Sequence, residues 1–179
     1  SGAILAGATS IATGVAMNLK MSKSKGNVVF AGLGDGATEE GIFWESLNYA
    51  GLQKLPIIFI CENNNYSTFS PQKKRQSGSS ISSRAKSFGV NSFQIFGSDV
   101  SAIYKALYKI TKKVRKGIGP FLIEIFTYRF SSHVGTNQEE KHIIYRSKKE
   151  IIFWKKYDPI SLLEKNLIKN KIIKNVKIK

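Results

Sequence analysis

Asp35 and Asn64 are the two side chains whose types and placement point to chemistry. Asp35 sits in Gly34-Asp35-Gly36, after the apolar run Val28-Val29-Phe30-Ala31-Gly32-Leu33. Asn64 sits in Glu62-Asn63-Asn64-Asn65-Tyr66, after the apolar run Ile57-Ile58-Phe59-Ile60-Cys61. A carboxylate oxygen and a neutral amide oxygen are hard ligands, suited to Mg²⁺ or Ca²⁺ rather than to a soft metal. Two protein oxygens leave positions open for a diphosphate and water, which is how Mg²⁺ is usually held. Gly36 and Ala37, at the turn into a following helix, would present backbone N–H groups at a helix N-terminus, where free donors and the dipole both favour phosphate. Together these residues describe a metal–diphosphate clamp.

The elements that must position them can be read from the hydrophobic pattern. Both apolar runs are short, β-branched and aromatic, and bounded by Gly or Asn, as buried strands are. Between them, residues 40–52 carry a helical apolar pattern in Ile42, Phe43, Leu47 and Ala50. Strand, helix and strand form one βαβ unit with parallel neighbours and a right-handed crossover. Asp35 and Asn64 then lie just past the carboxyl ends of adjacent strands, the edge at which open α/β sheets bind ligands. Further on, Ser67 to Ser83 reads as a polar loop, and Ile81 to Phe88 as a short helix closed by Gly89. Ser92 to Phe96 is a strand, and Asp99 caps a helix with apolar face Val100, Ile103, Tyr104, Leu107, Ile110 and Val114. Lys112, Lys113, Arg115 and Lys116 crowd the last turn of that helix, where cations suit the dipole, and Gly117 ends it. Phe121 to Phe126 is another buried strand, and Asp158-Pro159 opens a last helix. The fold class is α/β, a doubly wound, mostly parallel sheet.

A Gly-Asp-Gly followed, 29 positions after its Asp, by the second Asn of an Asn-Asn pair is the thiamine-diphosphate motif. With Glu45-Ser46-Leu47-Asn48-Tyr49-Ala50, Lys54-Leu55-Pro56 and Cys61-Glu62-Asn63-Asn64, the chain resembles the alpha subunit of the thiamine-dependent 2-oxoacid dehydrogenases (pyruvate, branched-chain and acetoin types). The resemblance runs from about Ser1 to about Leu167 and implies a thiamine-diphosphate-binding fold. It implies Mg²⁺ held by Asp35, Asn64 and the Tyr66 backbone carbonyl, and cofactor contacts at Ile4, Ala6, Leu33, Gly34, Asp35, Gly36, Ala37, Asn64, Tyr66 and His133. It also implies a diphosphate-binding domain over residues 1–146 and a C-terminal helical extension over 147–179. Segments of the family's alpha subunit on either side have no counterpart here, and the activating glutamate and the pyrimidine half of the cofactor site belong to a separate beta subunit. The stretch Gly2-Ala3-Ile4-Leu5-Ala6-Gly7-Ala8, rich in small residues, suits either close approach to the thiamine or tight helix packing at a subunit interface.

A second stretch, Tyr128-Arg129-Phe130-Ser131-Ser132-His133-Val134-Gly135, also follows a strand's carboxyl end. An imidazole beside a diphosphate and a carbonyl substrate can give a hydrogen bond or a proton near neutral pH. In the family this loop lines the active site. Tyr128, Arg129 and His133 match it, Ser131 and Ser132 depart from it, and Val134 stands where a regulatory Ser usually follows, so phosphorylation control of that kind is not expected. His133 is the catalytic candidate; His142 reads as an ordinary surface residue. Residues 128–145 lack apolar periodicity and are expected to order when the cofactor binds.

The chain has 179 residues, enough for one domain with a real core. Its single cysteine, Cys61, reads as a small buried hydrophobe and points to a reducing compartment. No signal peptide or membrane-spanning run is evident, so a cytoplasmic protein with no membrane association is expected. Net charge is +16, of which +9 falls from Lys141 onward, with twelve Lys or Arg against three Asp or Glu. Those are mostly lysines interleaved with Ile and Asn, as an AT-rich genome would impose on surface positions, and no arginine-rich aromatic patch suggests nucleic acid. By the resemblance, the function is oxidative decarboxylation of a small 2-oxo acid with acyl transfer to a lipoyl-bearing acyltransferase, in a homo- or hetero-oligomer with the beta subunit. A transketolase-like ketol transferase, or a non-catalytic module acting through subunit association, are the alternatives.

Overall fold

Four of the apolar runs pair side by side in one parallel sheet. A computed structural model of the chain describes residues 5–78, 80–133 and 145–173. The strands are β1 (Val29–Gly34), β2 (Ile57–Asn63), β5 (Asn91–Phe96) and β6 (Phe121–Phe126), in the order β1-β2-β6-β5. All three pairings are parallel, with Val29 against Ile57, Ile58 against Phe121, and Asn91 against Phe121. Between β2 and β5 the chain makes a two-residue hairpin, β3 (Tyr66–Ser67) with β4 (Ser70–Pro71).

The two-residue period of a strand sends alternate side chains to opposite layers. From the central strands, Ile57, Phe59, Cys61 and Leu122 pack with Ala16 of α1 (Gly7–Met21), Phe43, Leu47 and Ala50 of α2 (Gly41–Gln53), and Ile81 and Ala85 of α3 (Ile81–Lys86). Ile58, Phe121, Ile123 and Ile125 pack instead with Ile110 and Val114 of α4 (Val100–Arg115). Helices therefore cover both faces, as the doubly wound reading requires. Two C-terminal helices follow, α5 (Lys148–Lys156) and α6 (Pro159–Lys169). Ser147 Oγ accepts from the Glu150 N–H at 3.1 Å to cap α5, and Asp158 Oδ1 accepts from Ile160 at 3.3 Å to cap α6. Trp154 of α5 stacks on Phe96, the last residue of β5, and on Tyr128, just past β6. That contact lays α5 across the carboxyl edge of the sheet.

Two expectations change. On α4 the buried stripe is Ile103, Leu107, Ile110 and Val114, while Val100 and Tyr104 are 41% and 68% exposed. A helix resting on a sheet through one row needs only a narrow apolar face; Tyr104 lies beside it and stacks on Tyr108 instead. The polar segment after Tyr66 is also more ordered than a loop, holding the β3–β4 hairpin and a 3₁₀ turn at Gln72–Lys74. Elements of two or three residues leave no periodicity to read.

Cys61 is fully buried, and burial, with Glu124 next in effect, pushes its thiol well above the ordinary range. The reactive thiolate is thereby suppressed. A thiol-specific aromatic disulfide should leave Cys61 untouched in the native chain at neutral pH and titrate it after denaturation. Rapid reaction in native buffer would contradict this packing.

Candidate functional site

The site is assembled where β1 and β2 end side by side, with Gly34 paired to Glu62. Asp35 opens a 3₁₀ turn, Asp35–Glu39, and is 1% exposed. Thr38 Oγ1 donates to the Asp35 carbonyl at 2.7 Å, and Trp44 Nε1 donates to the Thr38 carbonyl at 2.8 Å, so the turn is closed from inside α2. α2 itself begins only at Gly41, after an extended Glu40. This corrects one expectation: Gly36 and Ala37 lie in a five-residue 3₁₀ turn rather than at the N-terminus of a long helix. The chain has to turn twice there to bring Asp35 inward before the crossover helix starts.

Asn64 follows β2 directly. Its Oδ1 accepts from the Tyr66 N–H at 2.9 Å, a tight turn that aims the backbone into β3, and Asn63 Oδ1 accepts from Asn65 in the same way. The Asn64 backbone N–H is among the groups that favour the ionised Asp35 carboxyl, which relates the two halves of the motif. Tyr66 stands opposite Pro71 in the hairpin, and Pro71 has no N–H to give, so the Tyr66 carbonyl takes no bond from its ladder partner. Gly36 lies against the hairpin: a Cβ there would stand 2.7 Å from Ser67 Oγ and 3.0 Å from Ser67 Cβ, so any side chain would force Ser67 to shift.

Electrostatically, burial pushes the Asp35 carboxyl above its usual range, opposed by the Arg75 guanidinium and the Asn64 N–H. Arg75 Nη2 lies 2.8 Å from Asp35 Oδ2, and Arg75 Nη1 meets the Glu39 carboxylate. Gln76 Nε2 adds bonds to the Asp35 carbonyl (3.2 Å) and Thr38 Oγ1 (3.0 Å). Behind the turn, Glu124 of β6 is 1% exposed and accepts from Asn63 Nδ2 (2.8 Å), the Ser82 N–H (3.0 Å) and Gln94 Nε2 (3.1 Å). Asn63, the first of the asparagine pair, is thus fixed from the sheet interior.

On the far side, Tyr66 Oη donates to Glu150 Oε2 at 2.9 Å; burial first, then that carboxylate, pushes its phenol up to about 12. Arg129 Nη2 donates to the Thr68 carbonyl at 3.1 Å, and Arg129 Nη1 meets His133 Nδ1 at 2.5 Å. Arg146 donates to the carbonyls of Arg129 and Ser131. A narrow cleft beside Asn64 is lined by Tyr66, Tyr128, Arg129, Tyr145 and Arg146. Tyr128 Oη and Arg129 Nε are buried there without a hydrogen-bond partner among the described residues.

Of the residues expected at the site, Leu33, Gly34, Asp35, Gly36, Ala37, Asn64 and Tyr66 come together at the β1–β2 edge. Ala6 is the buried N-cap residue of α1, held at φ 60°, a left-handed conformation that costs a non-glycine residue about 1 kcal/mol. His133 is exposed and linked to the cluster through Arg129 and the hairpin. Ile4 lies outside the described residues, as do 134–144 of the expected cofactor-ordered loop, with Val134, Gly135 and His142 among them. The flanks of that loop are tied by Arg129 and Arg146 to backbone carbonyls.

Arg75, Gln76 and Glu124 were not singled out from sequence. One signal was available for the first: with 23 lysines and five arginines, an arginine is the unusual cation. Four of the five (Arg75, Arg84, Arg129 and Arg146) turn inward to side chains or carbonyls around this edge.

The donor set fits a hard cation. Among the described residues no cluster of three His, Cys, Asp or Glu is placed for a metal. Asp35, with the Asn64 amide and the Tyr66 carbonyl at the neighbouring strand end, has the hard-oxygen chemistry that suits such a cation.

An open parallel α/β sheet with helices on both faces, a buried aspartate and an asparagine turn at adjacent strand ends defines a doubly wound α/β domain. The whole chain, residues 1–179, matches the family model described as dehydrogenase E1 component, and the chain belongs to that family. It is 35% identical over 165 residues to a pyruvate dehydrogenase E1 component subunit alpha of Acholeplasma laidlawii, covering 92% of this chain and 47% of that one. It is likewise 35% identical over 149 residues to a 2-oxoisovalerate dehydrogenase subunit alpha of Bacillus subtilis, covering 83% and 44%. The chain thus spans about half the length of these curated relatives. An X-ray structure from Mycobacterium smegmatis, titled as a thiamin diphosphate-dependent enzyme, shares the fold with a TM-score of 0.55 at 22% identity, over 70% of this chain and 23% of that one.

Proposed function

We propose that this chain is the diphosphate-clamping part of a 2-oxoacid dehydrogenase alpha subunit, working with thiamine diphosphate and Mg²⁺. The observation that carries the proposal is the buried Asp35 carboxylate at the end of β1, beside the Asn64 turn at the end of the adjacent β2. Asp35, the Asn64 side-chain oxygen and the Tyr66 carbonyl would hold Mg²⁺. Gly36, which carries no Cβ, would let the cofactor's diphosphate approach the backbone beside Ala37. Leu33, Gly34, Ala6 and Ile4 would line the rest. Thiamine diphosphate supplies the nucleophilic carbon and electron sink needed to release carbon dioxide from a 2-oxo acid.

Arg129 can only donate, so its contact with His133 Nδ1 would leave the ring's Nε2 to donate a hydrogen bond to a substrate carbonyl. Acyl transfer to a lipoyl-bearing acyltransferase follows in this scheme, and the activating half of the cofactor site comes from a beta subunit. Subunit association is supported by α1, which leaves Leu5, Ile11 and Val15 exposed on and before its outer face. Residues 1–146 act as the diphosphate-binding domain and 147–179 as a helical extension, and no nucleic-acid role is assigned to the lysines. Among the described residues no helix is long and apolar enough to cross a membrane, and the cytoplasm is the proposed compartment.

The test is carbon dioxide release from pyruvate and branched-chain 2-oxo acids, with the purified chain alone and with the beta subunit. Turnover is expected only with both, and only with thiamine diphosphate and Mg²⁺ present. Turnover of sugar phosphates in place of 2-oxo acids would move the chain to ketol transfer.

A further inference from the structure

We infer that Glu124 is a positioning residue of the cation site, acting through Asn63: its carboxylate sets which way the Asn63 amide points, and that amide shapes the turn presenting Asn64 and the Tyr66 carbonyl. This rests on the cation-binding reading of Asn64 and Tyr66 above. Glu124 Oε1 accepts from Asn63 Nδ2 at 2.8 Å, while Oε2 accepts from the Ser82 N–H (3.0 Å) and Gln94 Nε2 (3.1 Å). One oxygen therefore faces the turn, and the other faces α3 and β5.

A side-chain amide has a donor end and an acceptor end, and its neighbours decide which goes where. Asn63 is 1% exposed, so water offers it no alternative partners. As placed, Nδ2 donates to Glu124 and to Gln72 Oε1 (3.2 Å), and Oδ1 accepts from the Asn65 N–H (2.9 Å). Turned over, it would set acceptor against acceptor at Glu124 and donor against donor at Asn65. The carboxylate permits one orientation only.

That orientation reaches the candidate ligands. The bond from Asn65 to Asn63 Oδ1 folds the chain around Asn64, with Asn65 at a left-handed φ of 65°. Asn64 Oδ1 then accepts from the Tyr66 N–H. The ends of the turn are pinned separately, by the Thr127 N–H to the Asn63 carbonyl (2.9 Å) and the Gln72 N–H to the Asn65 carbonyl (2.7 Å). Loss of the Glu124–Asn63 bond thus disturbs the placement of Asn64 between fixed ends and leaves the segment in place. Groups that orient a metal's ligands in this way change its affinity about 10–100-fold.

The test uses the native assembly freed of metal and cofactor by chelation and dialysis. Mn²⁺ is titrated in at saturating thiamine diphosphate and the free ion is counted by its paramagnetic resonance; thermal melts of the metal-free samples report the scaffold. E124Q keeps the shape, but with its oxygen on Ser82 and Gln94 it points an N–H₂ at Asn63, and it is expected to bind Mn²⁺ about tenfold more weakly. The exchange N63D/E124Q restores a donor facing a carboxylate, which still accepts from the Asn65 N–H, and is expected to regain most of that loss. N63A leaves the Glu124 charge in place and should lose affinity as E124Q does, which separates the contact from long-range attraction; it also serves should E124Q fail to fold. Q94A breaks a bond to the other oxygen of the same carboxylate, so it should lower the melting temperature and leave Mn²⁺ affinity unchanged. Affinity that falls with stability in Q94A as well, or an exchange that recovers nothing, makes Glu124 scaffold alone and overturns the inference. Unchanged affinity in E124Q and N63A, with N64A weakened, also rejects the inference alone. An N64A assembly that binds as the parent does rejects the Asn64 reading and the inference with it.

Discussion

Asp35→Asn abolishes Mg²⁺-dependent retention of thiamine diphosphate and leaves the chain folded. The amide has the carboxylate's shape and can still accept from Arg75, but it brings no charge to the cation. Losing the site's one carboxylate should weaken metal-dependent binding by more than about 100-fold, the upper range for disturbing residues that merely support metal ligands. The fold should tolerate the change. Burial raises the Asp35 carboxyl above its ordinary value of 3.8, so the ionised form is a cost to the cofactor-free fold. That group's contribution is fully present below 3.8 and is lost as pH rises through the raised folded value. A neutral amide escapes this loss. The amide still accepts from Arg75 but no longer pairs its charge, so the variant should melt somewhat below the parent, by less at neutral pH than in acid. Equilibrium dialysis with Mg²⁺ and thermal melts at two pH values measure both parts.

Glu124→Ala should be the most damaging single change to the scaffold. Three donors converge on this carboxylate from three different segments: Asn63 at the end of β2, Ser82 in α3 and Gln94 in β5. Truncation strands all three in a region with almost no water access, at about 1–3 kcal/mol for each buried unsatisfied group. Against a typical total of about 5–15 kcal/mol, a loss of about 3–5 kcal/mol leaves the domain marginal. The Asn63–Asn64 turn loses its anchor at the same time. Urea denaturation should show a midpoint far below the parent's, and Glu124→Gln an intermediate one, because it keeps one acceptor but points an N–H₂ at donors. A Glu124→Ala midpoint equal to the parent's would mean the three bonds carry no weight.

The parts of the fold and site that could be read from sequence are those set by local pattern. β1, β2 and β6 announce themselves as apolar runs, and α2 by its 3.6-residue period; Asp99 and Asp158 each stand before their helices as caps. Asp35 and Asn64 followed, because strand ends on one edge are a consequence of parallel pairing. What stayed hidden depends on long-range closure. Arg75 reaches Asp35 across 40 positions through a hairpin held by two residue pairs, which has no period to detect. Glu124 stands in the run Phe121–Phe126, where an acidic residue looks like an interruption; its partners come from 30 to 61 positions away. The 3₁₀ turn Asp35–Glu39 separates Gly36 and Ala37 from the helix that follows, and a five-residue turn has no period to reveal it.

The most direct measurement is anomalous diffraction from the cofactor-loaded assembly with Mn²⁺ in place of Mg²⁺. The expected peak lies at coordination distance, about 2.1–2.3 Å, from an Asp35 carboxylate oxygen and the Asn64 side-chain oxygen, with the Tyr66 carbonyl as third protein ligand. A loaded assembly whose metal peak lies away from Asp35 would contradict it.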